Sequence, residues 1–551
     1  MGALRSYPRN HPHNLNLLLL AFTLLHFALS AILLPTASAC STIVAGKNAT
    51  GDGSVLFSHS NDGAGDAPGN IHLVVSANYT TPSTRSVSRG SIPQVPSTFQ
   101  YLTEGYAIMN ENQVGLGEST CHGIYTASSG GGILNIVDLG QIALERSKTA
   151  LEAVKILGQL AEKFGYYDNA ESLMVTDPTS AYIFHVLSDS TGNSAIWAAL
   201  KVPDDHVATV MNAFVIRAVD LSQDELFSNN LLSEAEILSW QPNTNTPLDF
   251  TLLFSKDNEA TCKYTSGRRQ WAVLNELAPS RGADPEYDDY VTSGYPATFA
   301  PDIPNSINVT VMSSLMRNTF QNTPFDMALF PELSGGPWKS PSRWTTPQAV
   351  DNATVCWERP IAIFRSIVSL VGSSSSESTI GGTVWFGPHS ALTTIYVPFS
   401  PNMNHLPISH TNNSLSSLNR NVSAFWASRF LYQVSEIKSE FMLADIRIAQ
   451  SELEAKSLKL QEQLAETYDG DVQKLTDAYS RNALDAVSAW WAISDTLVMR
   501  YADGYCNNGC GHADVGRDIG YDQDWLNSVV KYPTGAPTES PTKSLKSSKK
   551  K

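Results

Sequence analysis

One junction near the start of the chain constrains everything after it. An apolar segment from Leu15 to Leu34 follows a short stretch carrying Arg5 and Arg9, and it ends at Ala37-Ser38-Ala39-Cys40. This is the layout of a secretory signal peptide, with the small-x-small pattern after which a signal peptidase cuts. Cleavage there makes Cys40 the first residue of the mature chain. A thiol and an α-amine then sit on one residue, and the amine, with a pKa of about 7.7–8.0, is a base beside a nucleophile. That pairing activates the sulfur without a separate histidine. The remaining chain reads as a scaffold for this residue.

The local pattern places Cys40 at the head of a strand. Ser41 to Ala45 is small and β-branched, Val55-Leu-Phe-Ser58 is a second apolar run, and Asn48-Ala-Thr-Gly-Asp-Gly53 between them has hairpin-turn chemistry. In an antiparallel pair the start of one strand lies beside the end of the next, so Cys40 and Asp62 are expected neighbours.

Cys40-Ser-Thr-Ile-Val-Ala-Gly-Lys47, followed by Asp52-Gly-Ser54 and Asn61-Asp62, resembles the opening of the dipeptidase/secernin family of N-terminal-nucleophile hydrolases. Further segments match in order. They are Asn110-Glu111, Gly117-Glu118-Ser119, Ala143-Leu-Glu-Arg146, Lys201-Val-Pro-Asp-Asp205, Glu358-Arg-Pro360, and Gly382-Thr-Val-Trp-Phe-Gly387 through Tyr396-Val-Pro-Phe399. The resemblance covers roughly Cys40 to Tyr505. It implies an α+β fold, a four-layer αββα sandwich, with an added C-terminal helical region, and amide hydrolysis through a Cys40 thioester. The alternating strand and helix blocks suit such layering.

The division that follows is a signal peptide (1–39), a hydrolase domain with insertions (40–404), a helical region packed on it (405–530) and a disordered Ser/Pro/Lys tail (531–551). Strands are expected at Ser172–Val175, Ala181–Val186, Ser194–Ala199, Ala208–Ile216, Ile361–Val368, Gly382–Phe386 and Thr393–Pro398. Helices are expected from Asp138 to Phe164, Asp224 to Leu232, Arg268 to Leu277, Ser423 to Tyr468 and Asp471 to about Tyr501.

The formal net charge of −16 argues against nucleic acid or anionic membrane as a partner. No second long apolar stretch follows Leu34, so no membrane span is expected. Six Asn-x-Ser/Thr sequons, at Asn48, Asn78, Asn308, Asn352, Asn412 and Asn421, are glycosylation candidates. Together these features fit a secreted or secretory-pathway lumenal protein, with a vacuole or lysosome also compatible. A homo-oligomer is compatible too.

There are six cysteines. With Cys40 as nucleophile, an odd number remains, so at least one other is unbridged within the chain. Cys506 with Cys510, and Cys262 with Cys356, are the candidate disulfides. The alternative is that all six pair.

Four residues are candidates for catalysis: Cys40 as nucleophile and base, Asp62 to hold the Cys40 ammonium, and Asn212 or Asn110 as oxyanion donors on the family's pattern. The alternatives are an Asx turn at Asp62 and a loop-capping role for Asn212. Arg359 and Arg365 are candidates for gripping a substrate carboxylate by a bidentate fork, and Glu118 for answering a substrate α-amine. Where many relatives carry a basic residue beside the Asn-Asp pair, this chain has His59-Ser60-Asn61-Asp62. Neither a metal-ligand pattern, a phosphate-binding loop nor a Gly-x-Ser-x-Gly elbow occurs, so no metal or cofactor is expected. The leading reading is a secreted cysteine-type dipeptidase acting on small peptides. The alternatives are an acylase of another small amide, or an inactive secreted glycoprotein with a binding role.

Overall fold

The computed structural model describes residues 40–527, apart from 64–66, 81, 127–129, 242–246, 257–262, 287–293, 330–334, 344–348, 351–352, 355–357, 421, 508–518 and 522–524. The leader 1–39, the tail 531–551, Cys262, Cys356, Cys510, Asn352 and Asn421 therefore lie outside the described residues.

Two seven-stranded sheets form the body, and every pairing between neighbours is antiparallel. The first runs in the order 298–299, 207–210, 41–45, 55–61, 368–374, 383–388, 397–399; the second runs 195–202, 181–188, 171–176, 115–120, 107–110, 101–103, 72–74. The expected hairpin is present as β1 (Ser41–Ala45) and β2 (Val55–Asn61), with Ser41 opposite Ser60. Both strands lie in the middle of the first sheet, and β1 is buried along its whole length.

The strand Gly115–Thr120 crosses closest to this hairpin. A Cβ on Gly117 would come within 2.4 Å of Thr42 Oγ1, and one on Gly115 within 2.3 Å of the Phe57 ring. Glycine at these two positions lets the sheets meet where the strand that follows Cys40 begins.

Helices Ile136–Arg146 and Ala150–Phe164 bury Leu139, Ile142, Val154 and Leu157 with Leu173, Phe184 and Trp197 of the second sheet. Each such side chain contributes roughly 1.5–3 kcal/mol on burial. Gly158 lies so close that a Cβ would sit 2.2 Å from the Trp197 ring. Against the first sheet, Val273 and Leu274 of the helix Arg268–Leu277 and Met312 and Leu315 of the helix Val309–Met316 pack on Ile43, Leu56 and Val371.

The C-terminal helices Ala424–Ser435, Ser439–Thr467 and Val472–Tyr501 pack on this body. Trp490 Nε1 donates to Thr393 O at 2.8 Å, and Arg317 pairs with Glu454. No helix among the described residues is long and apolar enough to cross a membrane.

Several boundaries differ from those read in the sequence. The helix expected from Asp138 is two, because Ser147 turns into extended backbone and Thr149 caps a new start. Asn135 is the first cap, and Asp138 closes the box from its third position. The helical segment near Asp224 is a short 3-10 turn at Asp224–Leu226, with the helix itself at Leu231–Ile237. The strand expected over Ile361–Val368 begins only at Val368, since Ile361 and Ala362 are buried in a loop against the helices. The strand before Asn212 ends at Val210, as Asn212 takes a φ of 65°. The helix over Ser423–Tyr468 is interrupted between Ser435 and Ser439.

Cys40 and Cys121 are thiols and Cys506 is disulfide-bonded, which removes the alternative in which all six cysteines pair. Of the sequon asparagines, Asn48, Asn78, Asn308 and Asn412 are exposed.

Candidate active site

Cys40 is completely buried at the mouth of β1, at the end where the two sheets meet. Its carbonyl oxygen accepts from Ser119 Oγ at 3.3 Å and Arg269 Nη1 at 3.1 Å, so both sheets and one helix fix the first residue. Burial, followed by the Glu118 and Asp62 carboxylates, pushes the Cys40 thiol well above its ordinary value, while the Asp62 backbone N–H at the sulfur pulls the other way. The sulfur is therefore protonated as it stands and needs a base to become a nucleophile.

The neighbourhood of Cys40 and Asp62 inferred from the hairpin is present. Asp62 is fully buried; its Oδ2 accepts from Arg359 Nη2 at 2.8 Å and its Oδ1 from Ser366 Oγ at 2.5 Å. Arg365 Nη1 donates to the backbone oxygens of Asp62 and Gly63. Two arginines thus hold the end of β2 in place.

Asn212 comes into the same cluster. Its Oδ1 accepts from Arg269 Nη2 and Arg359 Nη1, both at 2.8 Å, and its Nδ2 donates to Thr120 O at 2.7 Å. Two guanidinium donors on one oxygen fix which end of the amide is which. One Nδ2 hydrogen is spent on Thr120, and the geometry of an amide leaves the second for another acceptor. The backbone N–H of Asn212 donates to Ser119 Oγ at 2.9 Å, tying it to the Cys40 carbonyl through one hydroxyl.

Two expectations are corrected. Asn110 is not an oxyanion donor: its Nδ2 is used on Leu144 O and Ser147 O, both at 2.9 Å, and its Oδ1 accepts from the Asn112 and Val114 amides. It closes the 107–120 hairpin onto the helix pair instead. Arg359 does not present a fork to a substrate, because both terminal nitrogens are committed to Asp62 and Asn212. Burial lowers its pKa despite the Asp62 charge. Arg365 keeps a place on the rim of a cleft lined also by Pro360, Ile363 and Phe364.

Below the sulfur lies a buried acidic group. Glu118 Oε1 accepts from the Thr120 hydroxyl at 2.9 Å. His59 bonds Glu118 O through Nδ1 at 2.9 Å and faces Glu104 Oε1 through Nε2 at 3.5 Å. Burial pulls His59 down, but the Glu104 hydrogen bond and the nearby carboxylates outweigh it, and the net shift is upward. Glu171 is raised well above the usual range by burial and by the charge and hydrogen bond of Glu118.

Donor atoms of Cys40, His59 and Glu118 all lie within 4.8 Å of one another, the one group among the described residues compact enough to share a metal ion. Both imidazole nitrogens already face other groups, which leaves His59 poorly placed to ligate.

Sequence reasoning missed Arg269, which is fully buried and donates five hydrogen bonds, to Cys40 O, Ser41 Oγ, Met211 O, Asn212 Oδ1 and Thr265 O. Every residue from Arg268 to Leu274 of its helix is buried, so no apolar stripe in the sequence set Arg269 apart. Also missed was an internal chain of polar groups. Val215 N–H donates to His185 Nε2, which places the proton on Nδ1, 2.6 Å from Ser172 Oγ. Ser172 Oγ is 3.1 Å from Cys121 Sγ, and that thiol donates to Ser119 O. Burial lowers His185 to about 3, so it is neutral and structural. Cys121, the cysteine left over by parity, is a link in this chain.

Comparison with known proteins gives concordant results. A sequence model described as peptidase family C69 matches residues 39–452. A protein of Salmonella dublin described as a probable dipeptidase is 22% identical over 404 residues, covering 69% of this chain and 85% of the relative. The family match begins one residue before Cys40.

Proposed function

Because the chain belongs to peptidase family C69, and is thus a peptidase, we propose that it is a secreted dipeptidase whose nucleophile is Cys40. The observation that carries this reading is the hydrogen-bonded cluster of Asp62, Asn212, Arg269 and Ser119 around Cys40, with Ser119 and Arg269 holding its carbonyl oxygen, at a predicted cleavage junction. In this reading the four layers are the helix pair 136–164, the two sheets, and the helices 268–277 and 309–316. The exposed Asn48, Asn78, Asn308 and Asn412 are the sequons a secretory route would modify.

Removal of residues 1–39 gives Cys40 an α-amine. That amine, directly or through a water, accepts the thiol proton, and the thiolate attacks the scissile carbonyl carbon. The tetrahedral oxyanion takes the second Nδ2 hydrogen of Asn212; such a donor is typically worth about 10²–10³ in rate. The protonated amine passes its proton to the leaving nitrogen as the C–N bond breaks, leaving a thioester. Water, deprotonated by the same amine, releases the acid. Arg269 and Ser119 hold the Cys40 carbonyl so that sulfur and amine keep their relative positions.

The test is intact-mass and N-terminal analysis of secreted protein treated with a thiol-reactive probe, alongside hydrolysis of a dipeptide panel by wild type and Cys40→Ala. A chain starting at Cys40, labelled on that sulfur, and a loss of at least about 10³-fold in the variant are expected. A mature chain beginning elsewhere, or an active Cys40→Ala, would overturn the proposal.

A further inference from the structure

The helices Arg268–Leu277, Val309–Met316 and Ser439–Thr467 border a second cleft, of about 730 Å³, within the size range of small-molecule sites. No residue of the Cys40 cluster lines it. Its two arginines differ in how their charge is answered. Arg317 is spent: Nη1 donates to Glu454 Oε2 at 3.0 Å, Nη2 to Glu454 Oε1 and Thr394 O, and Nε to Ala391 O at 3.2 Å. Arg447 has no carboxylate partner among the described residues. Its Nη1 donates to Gln450 Oε1 at 2.7 Å and to Leu392 O at 3.3 Å. That leaves Nε and Nη2, the parallel donors along one edge of the guanidinium, with no acceptor among the described residues. Gln450 is only 1% exposed, and its Nε2 is used on Leu392 O and Thr394 O, so it holds that edge in one orientation.

Two guanidinium groups against Glu454 leave one positive charge. The other carboxylate in the lining, Glu276, accepts from Asn318 Nδ2 at 3.1 Å and pairs with neither arginine. Burial, followed by the Arg317 charge, lowers Arg447 to about 9, so at neutral pH it stays charged where charge is disfavoured. The apolar members of the lining are Ala272, Ala455 and Leu458, too few to reward a greasy ligand. Asn275, Thr310, Ser314 and Asn322 line it as well, and their side chains make no hydrogen bond among the described residues.

We propose that this cleft binds a small polyhydroxylated acid, its carboxylate or phosphate on the free edge of Arg447 and its hydroxyls on Asn275, Thr310, Ser314 and Asn322. A planar guanidinium matches two oxygens of such an anion with two parallel charge-assisted bonds of about 2.7–2.9 Å. The anion supplies the counter-charge that a buried cation requires. The hydroxyls take the uncommitted amides and hydroxyls, which is how a lining this polar gives specificity. The site does not depend on the chemistry assigned to Cys40.

The test is calorimetric titration of the purified protein with glucuronate, glucose 6-phosphate, inorganic phosphate and glucose at fixed ionic strength. One or both sugar acids are expected to saturate at one per chain, at least about tenfold tighter than phosphate or glucose. The tighter of the two identifies the anionic group as carboxylate or phosphate. Two variants locate the binding. Arg447→Met removes the fork, and Ser314→Tyr fills the cleft from an exposed helix position. Each is expected to weaken binding about tenfold or more. Because Arg447 lacks a counter-ion, Arg447→Met should not lower the melting temperature of the free protein, and the sugar acid should raise that temperature only in wild type. If Arg447→Met does not fold, Ser314→Tyr decides alone. Binding unchanged in the folded variants would overturn the proposal, as would glucose or phosphate binding as tightly as the sugar acids. So would the absence of saturable binding up to about 10 mM.

Discussion

Asp62→Asn separates two effects that the structure places on one carboxylate. Asp62 balances Arg359 inside the protein, and both its oxygens accept hydrogen bonds. Asparagine keeps one acceptor, but it turns an amide toward a guanidinium or a hydroxyl and leaves a buried cation without its counter-charge. Breaking a buried pair from one side costs about 3–5 kcal/mol, to be read from guanidinium unfolding. The effect on the nucleophile has the opposite sense. Asp62 is one of the charges that raise the Cys40 thiol, and its backbone N–H, which lowers it, survives the substitution. Removing that charge takes away one of the influences that hold the thiol up, so the thiol becomes more acidic. The liberated Arg359 charge acts in the same direction. The variant should therefore be less stable and yet carry a more acidic thiol. The assay is the pH dependence of Cys40 alkylation by iodoacetamide, followed by mass spectrometry on protein shown to be folded. A midpoint that stays put or moves upward in folded Asp62→Asn would refute this account of the site's electrostatics.

Other consequences can be checked separately. Retaining one alanine ahead of Cys40 acylates the base, so turnover should fall about 10²–10⁴-fold while the sulfur still labels; unchanged turnover would mean that another group takes the proton. Asn212→Gly suits the φ of 65° and removes only the side chain, so a drop of about 10²–10³ in kcat with little change in KM is expected, and an unaffected kcat would exclude Asn212 from the oxyanion site. His59 is raised from an ordinary 6.5 in the fold. Its ion pair therefore adds stability in full below 6.5, and that contribution is lost as pH rises through the raised value. Unfolding free energy measured upward from pH 6.5 should fall in wild type and flatten in His59→Gln, and identical slopes would show that the imidazole is not charged there.

The hairpin, the strand that begins at Cys40 and the Cys40–Asp62 neighbourhood were legible in the sequence. So were the helices 268–277 and 472–501, because turn residues, caps and apolar periodicity act over a few residues. The break at Ser147 was hidden, since its cause is a side chain folding back onto Ala143 O within an otherwise helical pattern. Ile361 and Ala362 looked like strand because burial in a loop and burial in a sheet select the same residues.

The amino-acid order by itself determined the family and the hairpin that begins beside Cys40, and it singled out that cysteine as the proposed nucleophile. Only the tertiary structure decided which polar residues reach it. Arg269 and Arg359 come from elements far apart in the chain, and each lies beside Cys40 because a buried guanidinium must find acceptors wherever the sheets and helices bring them. That requirement leaves no periodic trace along the chain. It also explains why Arg359, read from its motif as a grip on substrate, is instead the counter-ion of Asp62.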